Sequence, residues 1–248
     1  MAISRMNFRS DTLGKGTSVN IYLPDNMAGS CPVIYLLHGL SDDCNVWLNA
    51  TSLERYAGEY NFVIVMPQVE LSYYTNMRHG ECYWDYLTKE LPAKIKQWYH
   101  ISHSPEQTFA AGNSMGGYGA FKWGLQSPQS FRAVASLSGS LDLVALWRRD
   151  TARDELFGRV FGKLSQLENS SDNLLQLFPE DKNHPAAPHF LQICGTDDFL
   201  YEDNQTFYQL AENKLCHYQY VEQPGAHDWQ FWDQQIQFTL SYFDQLLK

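Results

Sequence analysis

The chain has 248 residues, 44% hydrophobic and 19% charged, and its 18 Lys plus Arg against 28 Asp plus Glu give a formal charge of −10. That balance is globular and excludes a disordered chain, and the length suits one large domain or two small ones. The acidic surplus, unbroken by any Lys/Arg cluster, argues against nucleic acid and anionic membrane surfaces as partners.

The first residues carry no apolar signal-peptide core, and no apolar run approaches the ~18 residues of a membrane span. The five cysteines (Cys31, Cys44, Cys82, Cys194 and Cys216) are odd in number and lack Cys-x-x-Cys spacing. They exclude a fully paired disulfide framework and a zinc site of that type. A reduced, cytoplasmic protein is the expectation.

Residues 3–9 and 18–23 read as two strands joined by a turn at Gly14-Lys15-Gly16-Thr17. Residues 32–38 form an apolar run without alternation, as a strand buried on both faces requires, and 62–66, 108–111, 133–137 and 190–194 repeat that character. Residues 217–221 add one more strand. Helices are expected between them at 53–60, 86–99, 115–126, 202–213 and 230–247; in 86–99 the spacing of Leu87, Leu91, Ile95 and Trp98 makes an apolar stripe. Alternating strands and helices imply a single α/β domain over 1–248, with a mostly parallel central sheet covered by helices on both faces. Residues 141–188 break the rhythm and read as a small helical lid over the carboxyl edge of the sheet, where such folds bind ligands. Its bulky Leu146, Trp147, Phe157 and Phe161 are expected to narrow a pocket there. Trp84, Trp147, Tyr83, Tyr201 and Trp229 are further candidates for pocket lining, and as readily for the core or for an interface in a homo-oligomer.

Between a buried strand and a helix stands Gly112-Asn113-Ser114-Met115-Gly116, the G-x-S-x-G pattern in the strand–turn–helix setting that gives it meaning. The tight turn exposes a serine hydroxyl, and its glycines let neighbouring backbone pass. A serine hydroxyl is a weak nucleophile and needs a base oriented by a carboxylate. In this α/β-hydrolase arrangement the order is serine, acid, histidine. Asp197 and Asp198 follow a strand end, and His227 lies in the loop after the last strand. The oxyanion donors expected are the backbone N–H of Met115 and, from the loop His38-Gly39-Leu40-Ser41, the N–H of Leu40. His38 itself reads as a structural imidazole. This chemistry calls for no metal and no organic cofactor.

These residues give the chain a family resemblance. Leu36-Leu-His-Gly-Leu40, Gly112-Asn-Ser-Met-Gly-Gly-Tyr-Gly-Ala120, Ser136-Leu-Ser-Gly139, Cys194-Gly-Thr-Asp-Asp-Phe-Leu-Tyr-Glu-Asp203 and Pro224-Gly-Ala-His-Asp-Trp229 resemble the esterase D family of α/β hydrolases, in its tributyrin esterase branch. The resemblance implies hydrolysis of small-molecule carboxylic esters with short acyl groups, acetyl to butyryl. It also implies Asp198, rather than Asp197, as the acid. S-Formylglutathione hydrolysis and acyl transfer are the alternatives on the same scaffold. The formylglutathione branch shows Ser-Gly-Leu-Thr-Cys and Gly-His-Ser-Met-Gly-Gly-His, where this chain has His38-Gly-Leu-Ser-Asp42 and Gly112-Asn-Ser-Met-Gly-Gly-Tyr118.

Overall fold

A computed structural model describes residues 1–27, 30–99, 101–102, 104–179 and 187–248. Eight strands form one sheet: β1 (Ala2–Ser10), β2 (Lys15–Leu23), β3 (Val33–Leu37), β4 (Val63–Pro67), β5 (Thr108–Asn113), β6 (Ala133–Leu137), β7 (His189–Gly195) and β8 (Tyr218–Gln223). Their spatial order is β1-β2-β4-β3-β5-β6-β7-β8. The first two pairings, β1 with β2 and β2 with β4, are antiparallel, and every other pairing is parallel. The fold is that of an α/β hydrolase.

The unalternating apolar strands are explained by burial on both faces. Val33, Tyr35, Leu37, Val63 and Val65 point into one core, while Ile34, Leu36, Ile64 and Met66 point into the other. The second core is covered by α1 (Val46–Ala50), α2 (Leu53–Ala57) and the last helix, α10 (Trp229–Gln245), through Trp47, Leu53, Phe231, Ile236 and Phe243. The first is covered by α3 (Tyr83–Asp85), α4 (Leu91–Trp98), α5 (Met115–Gln126) and α9 (Tyr201–Lys214).

Two local expectations change. The hairpin turn occupies residues 11–14, and Gly16 and Thr17 belong to β2. Glu90 is the reason, since its carboxylate takes the Ser10 hydroxyl and the Asp11 and Thr12 amides, leaving Gly14 to close the turn at φ +66°. The predicted helix at 86–99 opens with a wider π turn, Tyr86–Glu90, before α4. Pro92, near the start of α4, has no N–H to extend an ordinary ladder backwards.

Residues 141–179 do form helices: α6 (Leu143–Arg149), α7 (Asp154–Phe161) and α8 (Leu164–Glu168). Asp142 caps α6 by accepting from the Ala145 amide at 2.9 Å. Residues 180–186 of the expected lid lie outside the described residues. Leu146, Trp147, Phe157 and Phe161 are all buried; the three rings pack on one another, with Trp147 and Phe157 centroids 5.3 Å apart, and Phe157 and Phe161 also meet Tyr73. They belong to the first core, continuous with the sheet, and do not line the cleft, because α7 turns its apolar face inward.

Candidate active site

Loops leave β3 and β5 towards opposite sides of the sheet, opening a crevice at their carboxyl ends. Ser114 stands there, between β5 and α5, at φ +53° and ψ −115°. A non-glycine residue held at positive φ is strained and persists only where its surroundings over-determine it. The Ser114 amide donates to the Leu137 carbonyl at 2.9 Å, and its carbonyl accepts from Tyr118 at 3.1 Å and Ser140 at 3.2 Å. The flanking glycines are needed for contact: a Cβ on Gly116 would meet the Leu37 carbonyl oxygen at 2.3 Å, and one on Gly112 would meet Gly116 backbone at 2.6 Å.

The loops after β7 and β8 are pressed together in the same way. The Thr196 amide donates to Gln223 and the Asp197 amide to Gly225, both at 2.9 Å, and a Cβ on Gly195 would lie 2.2 Å from the Gly225 oxygen. This clasp brings Asp198 to His227. Both Asp198 carboxylate oxygens lie 2.9 Å from Nδ1 of His227, whose Nε2 is 2.9 Å from the Ser114 hydroxyl. With the ring proton on Nδ1, donated to the carboxylate, Nε2 accepts from Ser114. Asp198 also accepts the Leu200 amide at 2.8 Å and has no side-chain exposure, whereas Asp197 is exposed. Phe199 and Trp232 flank the imidazole at ring distances of 4.5 and 4.9 Å. Asp228 caps α10 through the Phe231 amide.

His38 is buried and fully engaged. Its Nε2 accepts the Val69 amide at 3.1 Å, so Nδ1 carries the proton and donates to the Gly39 carbonyl at 2.8 Å. Burial pushes its pKa down, which keeps the ring neutral and fits a structural role. Leu40 follows in the loop that lines the crevice, and Met115 opens α5, where first-turn amides have no acceptor within the helix. Asp42 lies beside Gly39, with its pKa raised by burial and by Asp43.

The crevice is a cleft of about 400 Å³. Of the expected lining aromatics, only Trp229 lines it; Tyr83 is buried beside Lys15, Trp84 lies under Lys122, and Tyr201 bonds Glu222 at the surface. Tyr73, Asn113, Ser140, Arg153 and Phe199 also line it, and sequence reasoning missed them. Phe199 and Asn113 had a legible signal, each being the immediate neighbour of a proposed triad residue. Tyr73 and Arg153 had none, since they arrive from other loops and meet each other at 3.3 Å, guanidinium to hydroxyl.

Known proteins resemble this chain along most of its length. The profile of a family described as "Putative esterase" matches residues 10–241. An acetyl esterase of Caldicellulosiruptor saccharolyticus is 30% identical over 254 aligned residues, covering 95% of this chain and 96% of that protein. The substrate-bound structure of the Staphylococcus aureus fluorophosphonate-binding serine hydrolase F superimposes with a TM-score of 0.89 at 30% identity, over 98% of each chain. An S-formylglutathione hydrolase from the same organism gives 0.83 at 29% identity, over 98% of this chain and 99% of that one.

Proposed function

The chain belongs to this esterase family of serine hydrolases, and from that premise we propose a carboxylesterase for short acyl groups that works through Ser114, His227 and Asp198. The observation that carries the reading is the unbroken hydrogen-bond chain from the Ser114 hydroxyl through His227 to Asp198, with 2.9 Å links.

Ser114 Oγ attacks the ester carbonyl while its proton passes to Nε2 of His227. Asp198 holds the imidazole in the tautomer this needs and stabilises the imidazolium. Charge gathers on the carbonyl oxygen, where the N–H groups of Leu40 and Met115 are the proposed donors. The imidazolium then returns the proton to the departing alcohol, leaving an acyl-serine. Water, deprotonated by the same imidazole, releases the acid and regenerates the serine.

Short acyl groups are favoured by the cleft's modest volume and by the rings of Phe199, Trp229 and Trp232 along it. The helical excursion acts as a partial lid, reaching the cleft with Arg153. A second reading, S-formylglutathione hydrolysis, is supported by the likeness to the staphylococcal enzyme and uses the same steps on a thioester. Aryl esters from acetyl to dodecanoyl, assayed beside S-formylglutathione and with added alcohol acceptors, test all three activities. The highest kcat/KM is expected for acetyl to butyryl esters with the free acid as product. Preference for dodecanoyl esters overturns the short-acyl reading, a dominant thioester activity selects the second, and ester products select acyl transfer.

A further inference from the structure

Lys122 lies on α5, two turns beyond Ser114, and is 1% exposed. Burying a cation is costly unless it is paired and hydrogen-bonded, so such a residue needs a reason. Its Nζ makes an ion pair with Asp172 at 2.6 Å and donates to the Tyr74 carbonyl at 2.8 Å and the Thr75 hydroxyl at 3.0 Å. It also stands 4.2 Å over the Trp84 ring.

The segment it grips is strained. Tyr73 and Tyr74 both hold positive φ, +49° and +51°, although neither is glycine. Left-handed backbone is disfavoured at each such residue, so two in succession require outside support. The support serves two side chains. Tyr73 lines the cleft. The Tyr74 hydroxyl donates to the His38 carbonyl at 2.8 Å, while Val69, at the start of the same segment, donates to the His38 ring. Segment 69–75 therefore holds the oxyanion loop from both the backbone and the ring of His38. Gly119 completes the arrangement, since a Cβ there would meet the Tyr74 ring at 2.5 Å. The fourth glycine of the serine block makes room for Tyr74 against the helix that begins after Ser114.

We propose that Lys122 is a positioning residue that ties the Ser114 helix to the oxyanion loop through Tyr74, fixing the Leu40 N–H relative to the nucleophile. The inference rests on the roles assigned to Ser114 and Leu40 above. Donor placement matters because the oxyanion site gains its strength from preorganised geometry, and a shift of about 1 Å can cost ~100-fold in rate.

The test uses Tyr74→Phe, which deletes only the strap hydroxyl, and Lys122→Met paired with Asp172→Asn, which avoids stranding a half-buried carboxylate. Each is expected to lower kcat on an aryl acetate roughly 10- to 100-fold with KM little changed. Affinity for a trifluoromethyl ketone, which mimics the tetrahedral oxyanion, should fall in parallel. A loss of packing alone would lower Tm without moving that affinity selectively. Combining the changes should cost no more than the worse one, because both cut the same tether. Lys122→Gln, which retains an N–H donor for the Tyr74 carbonyl, should recover part of the loss. Unchanged kcat in Tyr74→Phe, or losses that multiply on combination, overturns the proposal. If the Lys122 variants do not fold, Tyr74→Phe alone decides. Ser114→Ala is the control: residual full activity there would instead overturn the functional reading itself.

Discussion

The cleft has a floor and, in the proposed lid, a roof built on a different principle. The floor is backbone against backbone: Gly112, Gly116 and Gly195 touch neighbouring main chain so closely that no Cβ fits, and the Ser114 peptide is bonded on both sides. The roof, 141–179, is short helices around rings, latched by side-chain ion pairs from Arg149 to Asp203 and from Lys122 to Asp172. Only Arg153 reaches from it into the cleft. Atoms that must stay within fractions of an ångström are held first by main chain, which has few alternative states, with the proposed Lys122–Tyr74 tether added to it. Atoms that only enclose the substrate are held by side chains, which repack.

Five variants and one titration probe this contrast, from the largest effect to the smallest. Ser114→Ala should cost on the order of 10⁶ in kcat while Tm is nearly unchanged, because the hydroxyl fills no core volume. Stopped assays on freshly purified protein check it. Asp198→Asn should cost ~10⁴ in kcat by presenting the wrong partner to Nδ1. Exposed Asp197→Asn should stay within about twofold, as surface changes usually do; reversed losses would move the acid by one residue.

Gly116→Ala breaks the floor without touching a proposed catalytic group. A methyl 2.3 Å from the Leu37 oxygen must push β3 and α5 apart, and kcat should drop about 100-fold. Phe157→Ala does the opposite in the roof. Its ring packs against Tyr73, Trp147 and Phe161, so truncation should cost roughly 3–5 kcal/mol of stability by denaturant titration. Its kcat at low temperature, where the protein stays folded, should remain within a few-fold of the parent. A variant in the roof's aromatic cluster that kills turnover while folded would dissolve the distinction.

The titration concerns the opposite edge of the sheet. His189, at the start of β7, stacks on His217 at 4.5 Å, and burial with the neighbouring His217 and Arg132 lowers its pKa from 6.5 to about 4. The folded state favours the neutral ring, so unfolding takes up a proton and stability falls as pH drops from about 6.5 towards 4, then levels off. His189→Gln should flatten that part of the Tm–pH curve and leave kcat at neutral pH unchanged. An unaltered curve would place the acid sensitivity elsewhere.

The floor was the legible part of the sequence. Glycines that admit backbone, a serine between strand and helix, and strands apolar at every position are local patterns with local causes. Between Asp197 and Asp198 the residues alone gave no decision. The family resemblance pointed to Asp198, and the geometry puts that carboxylate on His227 while leaving Asp197 in solvent. The roof misled because Trp147 and Phe157 look the same whether they face a ligand or one another. Lys122 and Tyr74 were illegible because their partners lie 48 and 36 residues away.

The hydrogen bond between Ser114 and His227 joins residues 113 positions apart. The proposed nucleophile, acid and base ride on β5, β7 and β8 in turn, so the last of them reaches the site only when β8 has docked beside β7. During synthesis or refolding, a chain organised as far as β7 already has its nucleophile elbow and still cannot turn over. Ester hydrolysis in this protein is therefore a clock for its final long-range pairing. Regain of activity should lag regain of helical signal by the time that closure takes.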